Sequence, residues 1–291
     1  MILTNNILLI EPVGFGFNPE TAADNKFQIE KKTGDIQKQF NEFKRVLENA
    51  GLNVHLLCPG DTTTPDALYP NNWFSTFPDK SLIIYPMMAI NRRSEKRTHF
   101  IHYLKQFYSK ITDLSFLENS DSFLEGTGSL VIDHTHKTAY ACLSQRTSTA
   151  AIEEWKSETG YKVVQFSATD VNGFPVYHTN VILTLAADFA IVCLESIIPE
   201  DRNQVQEQLL STGKEIVEIS FEQTKSFCGN CLALKNKNGE QIIVMSDVAR
   251  NAFTNDQIKR IKTTATIVSS DISEIEQIGG GGARCMIAEL F

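Results

Sequence analysis

The sequence has no long apolar run. Its longest apolar stretch, Val181 to Leu194, is broken by Thr184 and Asp188 and falls short of the roughly 20 residues that a membrane-spanning helix needs. Positive charge is also short, with 27 Lys and Arg against 35 Asp and Glu and a formal net charge of −8. A nucleic-acid or anionic-membrane surface calls for a basic stripe, so neither partner is expected. No basic segment precedes the run Ile7 to Ile10, which stops at Glu11-Pro12, and a cleavable signal peptide is therefore not expected. The six cysteines are too few and too scattered among 291 residues to form a disulfide framework. No Pro- or Ser-rich linker divides the chain, which favours one domain over residues 1–291. What remains is a globular protein, expected in the cytoplasm with reduced thiols, whose 42% apolar content supplies a core. Small-molecule chemistry is the natural role.

Against these absences stands a repeating helix-then-strand beat. Between Lys31 and Asn49, residues Ile36, Phe40, Phe43, Val46 and Leu47 fall on one helical face; Gly51 follows, then the strand Asn53 to Leu57. The beat returns at Thr149 to Glu158, Gly160 and Lys162 to Phe166. It returns again at Asn203 to Leu210, Gly213 and Glu215 to Ile219. In each copy glycine suits the left-handed end of a helix. Two copies lack the glycine: Glu95 to Tyr108 before Ile111 to Leu117, and Asn255 to Lys262 before Ala265 to Val268. Five such units point to an internal repeat. Between them, Ser129 to Ile132 with Thr138 to Cys142, and Cys231 to Leu234 with Gln241 to Met245, read as hairpins.

Three passages carry candidate chemistry. Four glycines, Gly279 to Gly282, lead into Ala283-Arg284-Cys285. Their entropic cost suggests a main chain that must approach something closely, and Arg284 favours a thiolate at Cys285. The plainer alternative is a flexible tail loop. His178, ahead of the apolar run Val181 to Leu185, is the best general base, although a hydrogen-bonded histidine at a strand end would look the same. Asn180 lies two residues on and shares its face if the segment is extended. Glu125, in Leu124-Glu125-Gly126-Thr127-Gly128, is either a partly buried carboxylate in need of a partner or an exposed turn residue.

Other features read as ordinary structure. Cys228-Gly229-Asn230-Cys231 has the spacing of a redox or zinc motif, but no second pair accompanies it. His134 and His136 fall in a polar turn and are expected to be solvated. His99 and His102 decorate a helix. The cluster Arg92 to Arg97 reads as a solvated helix start, where a guanidinium could also hold a carboxylate.

The segments Leu124 to Ser129, Ala141 to Thr147, His178-Thr179-Asn180 and Gly281 to Cys285, taken in this order, resemble the guanidine-modifying superfamily. That superfamily includes arginine deiminases, dimethylarginine hydrolases, agmatine deiminases and amidinotransferases. With Pro70 to Ser75 and Asn91-Arg92-Arg93, the resemblance is strongest to citrulline utilisation hydrolases and runs from near Glu11 to the last residue. It implies an α/β fold, a five-bladed pseudo-symmetric α/β propeller (pentein) of ββαβ-type repeats. It also implies that Cys285 attacks the carbon of a guanidinium or ureido group, His178 moves protons and Glu125 orients His178, with no metal or organic cofactor.

Relatives that act on guanidinium usually carry acids at the positions of Asn72 and Asn180. Two amides suit a neutral ureido group better, so both are expected to contact citrulline. The choice between Asn72 and Asn71 stays open. Arg146 matches the family arginine that clamps the substrate carboxylate, with Arg92 or Arg93 assisting and Arg97 left at the surface. The resulting expectation is conversion of citrulline to ornithine, ammonia and carbon dioxide. The alternatives are a hydrolase of arginine or dimethylarginine, an amidinotransferase, and a non-catalytic binding propeller. The oligomeric state, a homo-oligomer included, is left open.

Overall fold

Every helix-then-strand beat belongs to a three-stranded sheet. In a computed structural model, which describes residues 1–31 and 34–291, five such sheets form. One holds β1 (Asn6–Ile10), β2 (Asn53–Leu57) and the last strand, β15 (Ala288–Leu290). The second holds β3 (Phe74–Thr76), β4 (Ser81–Ile84) and β5 (Lys110–Asp113), and the third β6 (Leu130–Asp133), β7 (Thr138–Cys142) and β8 (Lys162–Phe166). The fourth has β9 (Leu183–Leu185), β10 (Phe189–Val192) and β11 (Glu215–Glu218), and the fifth β12 (Leu232–Lys235), β13 (Gln241–Ser246) and β14 (Thr266–Ser270).

In all five the middle strand is antiparallel to one neighbour and parallel to the other. An antiparallel pair can close through a short turn, whereas a parallel pair needs a crossover, and the helices of the repeat supply it. The glycines act as expected: Gly51, Gly160 and Gly213 all have positive φ, at 89°, 70° and 76°.

Burial is graded across the modules. Middle strands such as β7 and β10 are buried throughout, while the third strands β2 and β5 present exposed or half-buried residues. The helix Ile36–Asn49 buries Ile36, Phe40, Phe43 and Leu47 between its own sheet and the fifth, in a cluster with Ile7, Leu9, Ile242 and Val244. Truncating Phe40 or Phe43 to Ala should cost about 3–5 kcal/mol. The leading strand of each sheet, β3, β6, β9, β12 and β15, contributes to the wall of a shared cavity of about 40 Å³, through Ser75, Val131, Thr184, Leu232 and Glu289 among others.

The structure corrects several boundaries. Helix was expected from Lys31, but it starts at Ile36, and Lys32 and Thr33 lie outside the described residues. The helix expected over Glu95 to Tyr108 spans only Thr98–Leu104. The strand expected to reach Leu117 stops at Asp113, where the Asp113 carboxylate accepts from the Ser115 amide at 2.9 Å and turns the chain into a short 3₁₀ helix. Thr179–Val181 is likewise a 3₁₀ turn, so the strand expected from Val181 begins at Leu183. His134 is buried rather than solvated, against Tyr161 and Phe291. Cys58 is exposed, while the other five cysteines are buried. No helix among the described residues is long and apolar enough to cross a membrane.

Candidate active site

Glu125, His178 and Cys285 come from three different connections, and close backbone approach brings them together. Glu125 precedes the helical turn Gly126–Ser129. Gly126 has φ +46°, and a Cβ there would strike the carbonyl of Asn71. At Gly128 a Cβ would lie 2.5 Å from Asn72 Nδ2 and 2.7 Å from His178 Nδ1. These glycines are needed for contact between loops, not for a nucleotide. Cys285 follows the helix Ser273–Gly279, ended by Gly280 in the left-handed region. The polar segment 18–28 ties this turn down: Asn25 Nδ2 donates to the Gly280 carbonyl at 3.2 Å and Gln28 Nε2 to that of Gly279 at 3.1 Å.

His178 Nε2 sits 2.9 Å from Glu125 Oε2, and both side chains are buried. An ionised carboxylate can only accept, so Nε2 carries the hydrogen and Nδ1 keeps its lone pair. Burial pushes the Glu125 carboxyl up, but Arg146, His178 and Arg92 outweigh it and hold it well below the usual carboxylate range. Arg146 Nη1 lies 3.5 Å and Arg92 Nη1 3.9 Å from Glu125 Oε2. Burial also lowers His178, with Glu125 opposing, which keeps a neutral imidazole ready to accept a proton. The Cys285 thiol is raised by burial, while hydrogen bonds from Asn230 and Asn180 and the charges of Arg284 and Arg92 favour its anion.

Cys285, His178, Asn72, Arg92, Arg146 and Asp66 line one small cavity of about 20 Å³. Asn72 Oδ1 accepts from Arg92 Nη1 at 2.8 Å, which fixes the amide so that Nδ2 is its free, unpartnered end. Asn71 is fully buried and absent from the cavity wall, so Asn72 is the member of the pair that faces it. Arg92 is gripped by Glu95 at 2.8 and 3.0 Å. Arg146 is paired through two nitrogens with Asp24, donates to the Thr21 carbonyl at 2.9 Å and lies over the Tyr177 ring at 5.0 Å. Arg93 turns away, donating to the carbonyls of Met87 and Met88. Arg97 binds Asp61. Asn180 does not share a strand face with His178; its Nδ2 is directed at the sulfur of Cys285, 3.7 Å away.

Two residues were not legible beforehand. Asp66, one acid in a polar loop, points an unpartnered Oδ1 within the buried site while Oδ2 accepts from Asn18 and Thr21. Asn230 was hidden inside the Cys228–Cys231 spacing. No group of three or more metal-ligating side chains assembles among the described residues.

Comparison with known proteins places the chain in a family and a fold. Residues 11–291 match the family model for eukaryotic N,N dimethylarginine dimethylhydrolase. A sequence search of curated proteins gives no match. Among solved structures, apo ArgZ, an arginine dihydrolase from the ornithine-ammonia cycle in cyanobacteria, superposes with a TM-score of 0.76 at 15% identity over 97% of this chain. AgrE bound to L-arginine gives 0.78 at 14% identity over 98%. The chain spans 40% of either full-length protein but corresponds to 97% of the isolated ArgZ N-terminal domain, also solved bound to substrate. A dimethylarginine dimethylaminohydrolase variant carrying an S-methyl-L-thiocitrulline adduct gives 0.69 at 18% identity, covering 99% of this chain and all of that one. The chain therefore belongs to the N,N-dimethylarginine dimethylhydrolase family, within the guanidine-modifying superfamily.

Proposed function

We propose that this protein hydrolyses a C–N bond at the terminal carbon of an arginine-type amino acid, with Cys285 as nucleophile, His178 as acid and base, and Glu125 orienting His178. The observation that carries this reading is the meeting of Cys285 with the Glu125-bound His178 in one buried cavity. The Cys285 sulfur attacks the planar carbon, forming a C–S bond, and His178 protonates the departing nitrogen so that ammonia or an amine leaves. His178 then takes a proton from water, the resulting hydroxide adds to the carbon, and the C–S bond breaks to return the thiolate.

A cationic guanidinium, as in arginine or an N-methylated arginine, is the substrate the charges favour. Arg92 and Arg146 are surrounded by four acids, Glu95, Asp24, Asp66 and Glu125, which leaves an excess of two carboxylates around the cavity. In a low-dielectric site two such groups attract a cation strongly. Citrulline is the second reading, and Asn72 favours it. Asn72 Nδ2 offers a donor and Asp66 Oδ1 an acceptor, a pair that matches the carbonyl and NH groups of a ureido end, whereas guanidinium only donates. Hydrolysis of citrulline by the same steps would release ammonia and then the carbamic acid of ornithine, whose C–N bond breaks on decarboxylation to give ornithine and carbon dioxide.

Residues 1–291 are read as one closed five-bladed propeller. The shared cavity between the five leading strands and the pairing of β15 with β1, which joins both ends of the chain in one sheet, support that closure.

The test is an ammonia and amine assay with arginine, dimethylarginine and citrulline, run beside Cys285→Ser and a trapped-adduct mass measurement. Turnover with a covalent mass on Cys285 is expected. Activity that survives Cys285→Ser overturns the mechanism, and binding without turnover of any of the three supports a non-catalytic role instead.

A further inference from the structure

Asn230 donates through Nδ2 to Cys285 Sγ at 3.3 Å and to the backbone carbonyl of Asn180 at 3.0 Å. A backbone carbonyl cannot donate, so the amide cannot be turned over, and the NH₂ must face the sulfur. Asn180 repeats the arrangement: its Nδ2 is held by the Thr127 carbonyl at 3.2 Å and lies 3.7 Å from the same sulfur. Two amide groups, each anchored on main chain, thus converge on Cys285.

The local sequence is built to place Asn230 there. A Cβ at Gly229 would run into the Val181 carbonyl, so only glycine lets this turn pack on the segment that carries Asn180. Phe227, three residues earlier, is held at φ 60°, a strained conformation for a bulky side chain. Cys228 and Cys231 are both buried, with Cys231 Sγ donating to the Cys228 carbonyl at 3.3 Å. The CxxC spacing therefore serves to pack the turn that carries Asn230.

We infer that Asn230, assisted by Asn180, forms an anion hole for the Cys285 thiolate, and that Asn230 is a catalytic residue of this enzyme. The inference rests on the proposal that Cys285 is the nucleophile. Its role is to donate to the sulfur when the thiol proton passes to His178 Nδ1 and again when the C–S bond breaks and the electron pair returns to sulfur. A donor fixed in advance costs no reorganisation at either step. The charged or titratable groups around the sulfur are Arg284, Arg92, Arg146, Asp66, His178, Tyr69 and Tyr177. The Arg284 guanidinium is engaged with the Ile287 carbonyl and Glu289, and among the described residues the side chains that donate to the sulfur are the amides of Asn230 and Asn180. Burial works against the anion and leaves the thiol raised on balance; the Asn230 hydrogen bond is the largest of the contributions that counter it.

The test is the pH dependence of iodoacetamide alkylation at Cys285, located by mass spectrometry, in the full chain and in Asn230→Ala, Asn230→Asp and Asn230→Ser. Loss of a hydrogen bond to a charged group should raise the alkylation midpoint by about one to two pH units in Asn230→Ala. Asn230→Asp, nearly isosteric, should raise it at least as far, because a carboxylate replaces the donor, and it serves if the alanine variant fails to fold. Asn230→Ser, which keeps a donor, should recover part of the shift. Turnover should fall mainly in kcat. An unchanged midpoint in a folded Ala or Asp variant overturns the inference even if both lose thermal stability. Absence of turnover by the unaltered protein, with its alkylation midpoint still shifted by the substitutions, would instead sink the enzymatic reading and leave the anion hole standing.

Discussion

His178 Nε2 and Glu125 Oε2 lie 2.9 Å apart with both side chains closed off from solvent. This pair fixes which nitrogen of His178 can act, and Glu125 is itself flanked by Arg146 and Arg92. Glu125→Gln should lower kcat by at least about 100-fold, since the base loses its orienting carboxylate. It should also destabilise the fold by about 3 kcal/mol or more, because two buried guanidinium groups lose a shared counter-charge. Steady-state kinetics with urea unfolding would check both; a variant with normal kcat would remove Glu125 from the mechanism.

Acid should weaken the protein in two steps. His134 is pushed down to about 4 by burial. A base whose folded value lies below its unfolded value of about 6.5 adds stability above that unfolded value, and the addition is lost as pH falls from about 6.5 to about 4. A gap of that size corresponds to about 3 kcal/mol. Glu125, also held low, adds stability above the ordinary carboxylate range and loses it at still lower pH. Urea midpoints of His134→Phe should be flatter than those of the unaltered protein between pH 4 and 6.5. Parallel curves would contradict the assignment.

Gly128→Ala should abolish activity and cost about 1–3 kcal/mol by overpacking. The new methyl would press on Asn72 Nδ2 and the His178 ring. Thermal unfolding would report the cost, and an active, stable variant would show that the loop has room the structure does not display.

Asn72→Asp replaces the free donor of the cavity with an acceptor next to Arg92. The ratio of arginine to citrulline turnover should rise by about tenfold or more, because a carboxylate suits a cation and leaves a ureido oxygen without its donor. Competition kinetics with both substrates would show the direction, and a fall in the ratio would remove Asn72 from substrate recognition.

Much of this was readable from the order of residues. Period and glycine placement identified the repeat because helix periodicity and positive φ are local properties: Gly51, Gly160 and Gly213 follow helices in the structure as they do in the pattern. Cys285, His178 and Glu125 stood out because rare chemical types sat beside unusual backbone, and Arg146 was marked by the same family motifs. The structure added where each points. Asn180, expected on the substrate, is turned to the sulfur. Arg93, expected near a carboxylate, is spent on the carbonyls of Met87 and Met88.

Asp66 and Asn230 carry no local signature at all. Asp66 is notable only because its Oδ1 is buried without a partner, and Asn230 only because the turn at Gly229 lies on the segment of Asn180. The repeat, its strands and the reactive residue types follow from spacing along the chain. Which amides face the thiol, and which acids and guanidinium groups gather at the cavity, depends on tertiary contacts between residues as far apart as Asn230 and Cys285, or Asp24 and Arg146.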